Sequence, residues 1–140
     1  MTAWIGKLDA WRHCLTSYSA GQAPLFYFDA RAGICRVLSA NMLPMGITEE
    51  VKIEKPHLIW MNPGDLYVVL SDGMLEASNA HGDLFGKERV MQVIQANQTA
   101  EPETLLSQLL HEIDMFTDSR AADDDRTALI IRREGRAADA

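Results

Sequence analysis

The chain has 140 residues, 47% of them hydrophobic and 24% charged, an ordinary globular balance for one domain that excludes intrinsic disorder. A net charge of −7 with no basic cluster excludes nucleic acid as an expected partner. Cys14, Cys35 and the scattered His13, His57, His81 and His111 form neither a disulfide framework nor a zinc pattern. No apolar run approaches the roughly 18 residues of a membrane span and the N-terminus lacks a signal-peptide layout, so no membrane is expected and a cytoplasmic location is the default expectation.

Thr2 to Leu8 reads as a strand, with Trp4, Ile5 and Leu8 as its apolar bulk. Asp9 to His13 turns the chain, and Cys14 to Tyr18 returns as a second strand with Leu15 and Tyr18 as candidates for burial. Ala20-Gly21-Gln22-Ala23-Pro24 is a breaker cluster. Leu25 to Phe28 and Ile34 to Leu38 are expected to pair as a hairpin across Asp29-Ala30-Arg31-Ala32-Gly33. Leu43-Pro44-Met45-Gly46 is an irregular corner. Val51 to Ile59 reads as a strand, because Val51 and Ile53 alternate with Lys52 and Glu54, although Pro56 weakens its middle or confines it to an edge. Asn62-Pro63-Gly64-Asp65 has the composition of a tight turn, in which Asp65 is expected to face solvent.

Leu66 to Leu70 is a continuous apolar run, too short for a helix and typical of a strand buried on both faces. It stops at Ser71-Asp72-Gly73, where the carboxylate ends a rigid strand and the glycine lets the chain turn at once. Oxygen ligands on stiff supports are what a hard cation needs. An ordinary strand-to-turn Asp-Gly is the commoner explanation of these residues taken alone.

Two helices follow. Phe85, Gly86 and Val90 predict an N-terminus with Gly86 as cap and Phe85 stapled to Val90, continued by Met91, Val93 and Ile94. The second starts near Thr99 to Pro102, and Leu106, Leu109, Leu110, Ile113 and Phe116 keep helical spacing on one core-facing side. Thr127 to Ile131 is a last strand, and residues 134–140 are expected to be a disordered tail. The order of elements predicts an α+β fold, antiparallel strands followed by two helices near the C-terminus and a strand that returns to the sheet.

Asp123, Asp124 and Asp125 stand together before that strand, and their mutual repulsion is a cost that a divalent cation removes, although a solvated acidic loop needs no ligand. If the strands that end at Leu70 and begin at Thr127 are antiparallel neighbours, Asp72 and Asp124-Asp125 share one sheet edge. Carboxylates converging there suit Mg²⁺ or Mn²⁺ rather than Zn²⁺.

Six segments occur in the order found in one bacterial family: Ala20-Gly21-Gln22-Ala23-Pro24, Leu43-Pro44-Met45-Gly46, Pro63-Gly64-Asp65, Ser71-Asp72-Gly73-Met74-Leu75-Glu76-Ala77, Phe85-Gly86 and Asp124-Asp125-Arg126-Thr127. Through them residues 1–133 resemble the C-terminal part of the SpoIIE/RsbU-like branch of the metal-dependent PPM-type serine/threonine protein phosphatases. The resemblance implies a partial α-β-β-α sandwich and, in the complete domain, two Mn²⁺ or Mg²⁺ ions that activate water against a phosphoserine or phosphothreonine. It assigns Asp72, Asp124 and Asp125 as metal ligands and Gly73 as the turn of the metal site. It gives no metal role to Glu76, Asp65 or Asp123, and it implies a phosphoprotein substrate, in this family often an anti-sigma-factor antagonist.

Family members carry further strands, two long helices and an Asp-x-Ser-Gly-His-Gly metal motif upstream of the strand matching Thr2 to Leu8. None of these is in this sequence, where Asp72-Gly73 is the one Asp-Gly. The expectation is an N-terminally incomplete phosphatase domain whose other half is supplied in cis or in trans. The alternative is a catalytically silent interaction module derived from the same fold. Either way, missing strands predict bare apolar surface and self-association through an exposed sheet edge.

Overall fold

The computed structural model describes residues 1–50, 52–122 and 124–135. Its strands are β1 (Ala3–Asp9), β2 (Cys14–Ala20), β3 (Leu25–Asp29), β4 (Ile34–Leu38), β5 (His57–Trp60), β6 (Leu66–Leu70) and β7 (Ala128–Arg132); its helices are α1 (Asp72–Leu75), α2 (Gly86–Ala96) and α3 (Pro102–Phe116). All strand pairs are antiparallel and fall into two sheets, ordered β1-β2-β5 and β4-β3-β6-β7. This is the α+β architecture expected from the sequence. The tail expected at 134–140 lies outside the described residues from position 136 onward, as do Val51 and Asp123.

Alternation along β3 and β6 explains the layering. Phe26, Phe28, Leu66, Val68 and Leu70 point to one side, where they pack with Val90, Ile94, Leu105, Leu109 and Ile113 of α2 and α3. Leu25, Tyr67, Tyr27 and Val69 point to the other side and meet Leu15, Trp4 and Ile59 of the first sheet. The central strands β3 and β6 are therefore covered on both faces, which is why Leu66 to Leu70 reads as an unbroken apolar run. Tyr67 takes its hydroxyl into the inter-sheet layer, where Trp4 Nε1 donates to it over 3.2 Å and Ser17 Oγ lies 3.3 Å away.

The three-stranded sheet has no such second cover. The register sets Ile5 opposite Tyr18, Leu58 opposite Thr16 and Trp60 opposite Cys14, on the face turned away from the core. Ile5, Leu58 and Trp60 are 68%, 56% and 59% exposed. Ile5 is thus not buried as strand bulk and Tyr18 is only half-buried, because among the described residues the helices pack on the other sheet. Leu8, opposite Leu15 on the inward face, is 51% exposed near the end of β1.

Three expected elements shift for local reasons. The strand expected over Val51 to Ile59 begins at His57, because the next sites along β2 are taken: Ser19 N donates to Asn41 Oδ1 over 2.7 Å and Ser19 O accepts from Met42 N over 2.9 Å. Asn41 Nδ2 then donates to Lys55 O over 2.8 Å, holding the chain off the sheet. In α2 the cap is Phe85 rather than Gly86, with no side-chain cap bond; Phe85 and Val90 are both buried, but with Phe85 as cap they are not the N′ and N4 positions of a staple. In α3, Leu105 joins Leu109 and Ile113 as the fully buried positions, and Leu106, Leu110 and Phe116 flank them.

Candidate metal centre

Strands β6 and β7 are antiparallel neighbours whose last pair is Leu70 with Ala128. Asp72 therefore leaves one strand at the same sheet end where Asp124 and Asp125 lead into the other. Ser71 fastens the two segments: its N–H donates to Thr127 O over 2.9 Å, its Oγ accepts from Thr127 N over 2.9 Å, and its hydroxyl donates to Asp125 O over 3.0 Å. Asp125 N in turn donates to Asp124 Oδ1 over 2.7 Å. A fourth tie comes from the breaker cluster, where Gln22 Nε2 donates to Leu70 O over 2.8 Å.

Gly73 is required by close approach. A Cβ at this position would collide with the Asp125 carbonyl oxygen and lie 3.1 Å from that of Asp124. Immediately beyond it, buried Met74 and Leu75 anchor α1 in the helix-side core, and Glu76 N donates to Asp72 O over 2.8 Å. The Asp-Gly pair is thus seated on the carbonyls of the Asp124-Asp125 segment rather than being a free surface turn.

Asp72, Asp124 and Asp125 are all exposed at this edge, and their hard oxygens match Mg²⁺ or Mn²⁺ chemistry. Among the described residues, however, no group of three or more His, Cys, Asp or Glu side chains is arranged to hold a metal ion. The fit is therefore partial: the edge presents hard oxygen side chains but, among the described residues, no complete ligand set. Beside the edge opens a cleft of about 530 Å³ lined by Gly73, Glu76, Arg120, Asp124 and Arg126. The arginines and Glu76 carry no metal-ligand pattern in sequence; only their neighbourhood to Asp124 brings them into view. Ser71 was legible as a strand end but not as the fastener.

Asp65 departs from expectation. It lies at the opposite end of β6 and is 0% exposed, not solvent-facing. Its carboxylate accepts from Tyr27 Oη at 2.5 Å, Ala30 N at 2.8 Å, Asn62 N at 2.6 Å and Asn62 Nδ2 at 3.4 Å, enough donors to offset its burial. Burial first, and then the hydrogen bond to Asp65, push the Tyr27 phenol well above its ordinary range. This carboxylate ties the turn before β6 to β3 and stands apart from the Asp72 edge.

The model of the family described as Stage II sporulation protein E (SpoIIE) matches residues 1–134. The chain belongs to the SpoIIE family. Protein IcfG of Synechocystis is 25% identical over 132 residues, which are 94% of this chain but 20% of that protein. The SiaA-PP2C domain of Pseudomonas aeruginosa superposes with a TM-score of 0.79 at 18% identity, covering 95% of this chain and 51% of that one. The phosphatase domain of the cell fate determinant SpoIIE from Bacillus subtilis, presoaked with manganese, gives a TM-score of 0.73 at 23% identity, covering 96% of this chain and 57% of that one. The fold of this SpoIIE-family chain is thus that of PP2C-type phosphatase domains, of which it spans little more than half.

Proposed function

We propose that this chain is the C-terminal part of a metal-dependent protein serine/threonine phosphatase domain that hydrolyses the phosphomonoester of a phosphorylated regulatory protein, such as an anti-sigma-factor antagonist, in the cytoplasm. The observation that carries this is the Ser71-fastened junction, which joins Asp72 and Asp124-Asp125 at one sheet end with Gly73 seated on their backbone. A bound divalent cation, Mn²⁺ or Mg²⁺, would supply water activation and charge stabilisation for phosphoryl transfer. Asp72, Asp124 and Asp125 would hold its oxygen shell in part, and Gly73 keeps the approach free of side chain. The manganese-presoaked SpoIIE structure supports the choice of metal.

The remaining ligands, in this reading, come from the other half of the domain, in cis or in trans. The uncovered face at Ile5, Leu58 and Trp60 supports such a missing layer. The expected assay result is metal-dependent phosphatase activity when the upstream half of a SpoIIE-type domain is supplied, lost in Asp72→Asn and Asp124→Asn. The lack of a three-ligand group among the described residues favours a second reading, an interaction module without activity. Absence of turnover in the completed domain, with tight binding of a phosphoprotein partner retained, selects that reading.

A further inference from the structure

The cleft beside the Asp72–Asp124 edge brings two arginines together in a chain of net charge −7. Arg126 follows the two aspartates in sequence, and its side chain is 15% exposed. Its Nη1 donates to Asp114 Oδ1 over 2.7 Å, whereas its Nε is buried with no acceptor among the described residues. A guanidinium carries five donors in a planar fork, so Arg126 keeps donors beyond the one given to Asp114; an unpartnered buried Nε is also found in Arg132 and Arg133, outside the cleft. Arg120 enters the same cleft from the turn that follows α3. That turn is held left-handed at Asp118 (φ 52°) and Ser119 (φ 55°), closed by Ser119 N donating to Asp114 O over 2.8 Å and Arg120 N to Thr117 O over 3.2 Å. Asp114 thus holds Arg126 through its carboxylate, and its carbonyl closes the turn that carries Arg120 by accepting from Ser119 N.

We propose that Arg126 and Arg120 form an anion-binding wall that holds the phosphate of the substrate's phosphorylated residue beside the carboxylate edge. This rests on the phosphatase reading above and assigns to it the side chains that recognise the phosphoryl oxygens. Arginine suits the role because it stays charged at every working pH and keeps further donors beyond the one Arg126 gives to Asp114. The opposing charges among the described lining residues are Glu76 and Asp124. A cation held at the aspartate edge would offset Asp124, leaving Glu76 and the Asp114 partner of Arg126 against two arginines.

The test is an NMR titration of the 140-residue chain with inorganic phosphate and with a phosphoserine peptide, in EDTA and then with Mn²⁺. Saturable phosphate binding in EDTA is expected, weakened about tenfold in Arg126→Gln and several-fold in Arg120→Gln, as loss of a charge-assisted pair implies. Arg12→Gln, which alters an exposed arginine paired with Asp9, should bind as the parent does. Asp114→Asn separates recognition from structure: it frees the Arg126 fork and should leave phosphate binding intact or tighter. A merely structural ion pair predicts that Asp114→Asn and Arg126→Gln unfold alike and that phosphate affinity ignores both.

The proposal is overturned by undetectable phosphate binding, by equal affinity in the parent and in folded Arg126→Gln, or by a peptide that fails to bind where inorganic phosphate succeeds. Should Arg126→Gln not fold, Arg126→Lys and Arg120→Gln carry the test, and undiminished affinity in both overturns it. Arginine-dependent phosphate binding in EDTA without any Mn²⁺ binding would uphold the wall and refute the metal reading. Mn²⁺ binding without arginine-dependent phosphate binding would do the reverse.

Discussion

The two sheets of this chain are built from similar strands and meet different fates. In the β4-β3-β6-β7 sheet, Phe26, Phe28 and Leu70 face the helices while Leu25 and Tyr67 face the neighbouring sheet, and both sets are buried. In the β1-β2-β5 sheet, Leu15 and Ile59 pack inward, but Ile5, Leu58 and Trp60 on the outward side have no layer over them among the described residues. A strand's alternation says which residues share a face; it does not say whether a second layer exists to cover that face. The covered sheet carries the candidate site at its end, and the uncovered one leaves its outward apolar face bare among the described residues.

The largest expected effect contrasts chemistry at the two sheets. In the domain completed by its other half, Asp72→Asn or Asp124→Asn at the end of the covered sheet should lower turnover about 10³-fold or more, the equivalent of roughly 4 kcal/mol. Leu58→Ser on the open sheet leaves the carboxylates in place and should lower turnover only as far as it weakens docking of the other half. The 140-residue chain alone should turn over far below about 1 s⁻¹. A rate at or above that from the chain alone, abolished by either Asp→Asn change, would mean that its own carboxylates complete the site.

Next comes stability, read by urea unfolding. Phe26→Ala removes a fully buried ring from the covered sheet and should cost about 3–5 kcal/mol. Ile5→Ala on the open sheet should stay within about 0.5 kcal/mol. Comparable losses at the two positions would mean that the open face is covered in solution, and the contrast between the sheets would fall.

A smaller effect belongs to the turn that feeds the covered sheet. Asp65→Asn leaves part of the donor cluster from Tyr27, Ala30 and Asn62 poorly matched and should cost about 1–3 kcal/mol. Tyr27 adds a pH signature, because its phenol is held protonated in the folded state above the ordinary value of 10.0. The folded state then binds the proton more tightly than the unfolded one, so its contribution is full below pH 10 and is lost as pH rises beyond it. Urea midpoints measured from pH 8 to pH 11 should therefore fall on the alkaline side, and fall less in Tyr27→Phe. An equal fall in both would remove Tyr27 as the source.

Much of the covered sheet was legible because its signals are local. The apolar run Leu66 to Leu70 announced burial on both faces, the hairpin over Asp29 to Gly33 announced β3 and β4, and the flanking aspartates announced a shared edge once β6 and β7 paired. What was not legible depends on partners distant in the chain. Asp65 is buried by donors from Tyr27 and Ala30, more than thirty residues away, so its turn composition pointed to solvent. The start of β5 at His57 depends on Asn41 and Met42 occupying Ser19, which no propensity encodes. Arg126 and Arg120 share a cleft only because Asp114 and the turn after α3 bring them there.

The smallest expected change in folding free energy is on the outward face of the open sheet, and there the readout shifts from stability to association. Leu58 and Trp60 are already largely in water, so Leu58→Ser and Trp60→Ser give up little burial and should alter unfolding by no more than about 0.5 kcal/mol. The same side chains, with Ile5 beside Tyr18, make an apolar surface on a sheet whose outer strands β1 and β5 each keep one unpaired edge among the described residues. Apolar area of that kind is stabilised by contact with another copy, at roughly 25 cal/mol for each Å² removed from water. The unaltered chain should therefore run as a dimer or larger species in size-exclusion chromatography with light scattering, and Leu58→Ser/Trp60→Ser should shift it toward monomer at equal concentration. Adding the upstream half of the domain should suppress association of the unaltered chain, because the two would compete for one face. A clean monomer for the unaltered chain across micromolar concentrations would show that the face is not adhesive, and the difference between the two sheets would then be one of exposure alone.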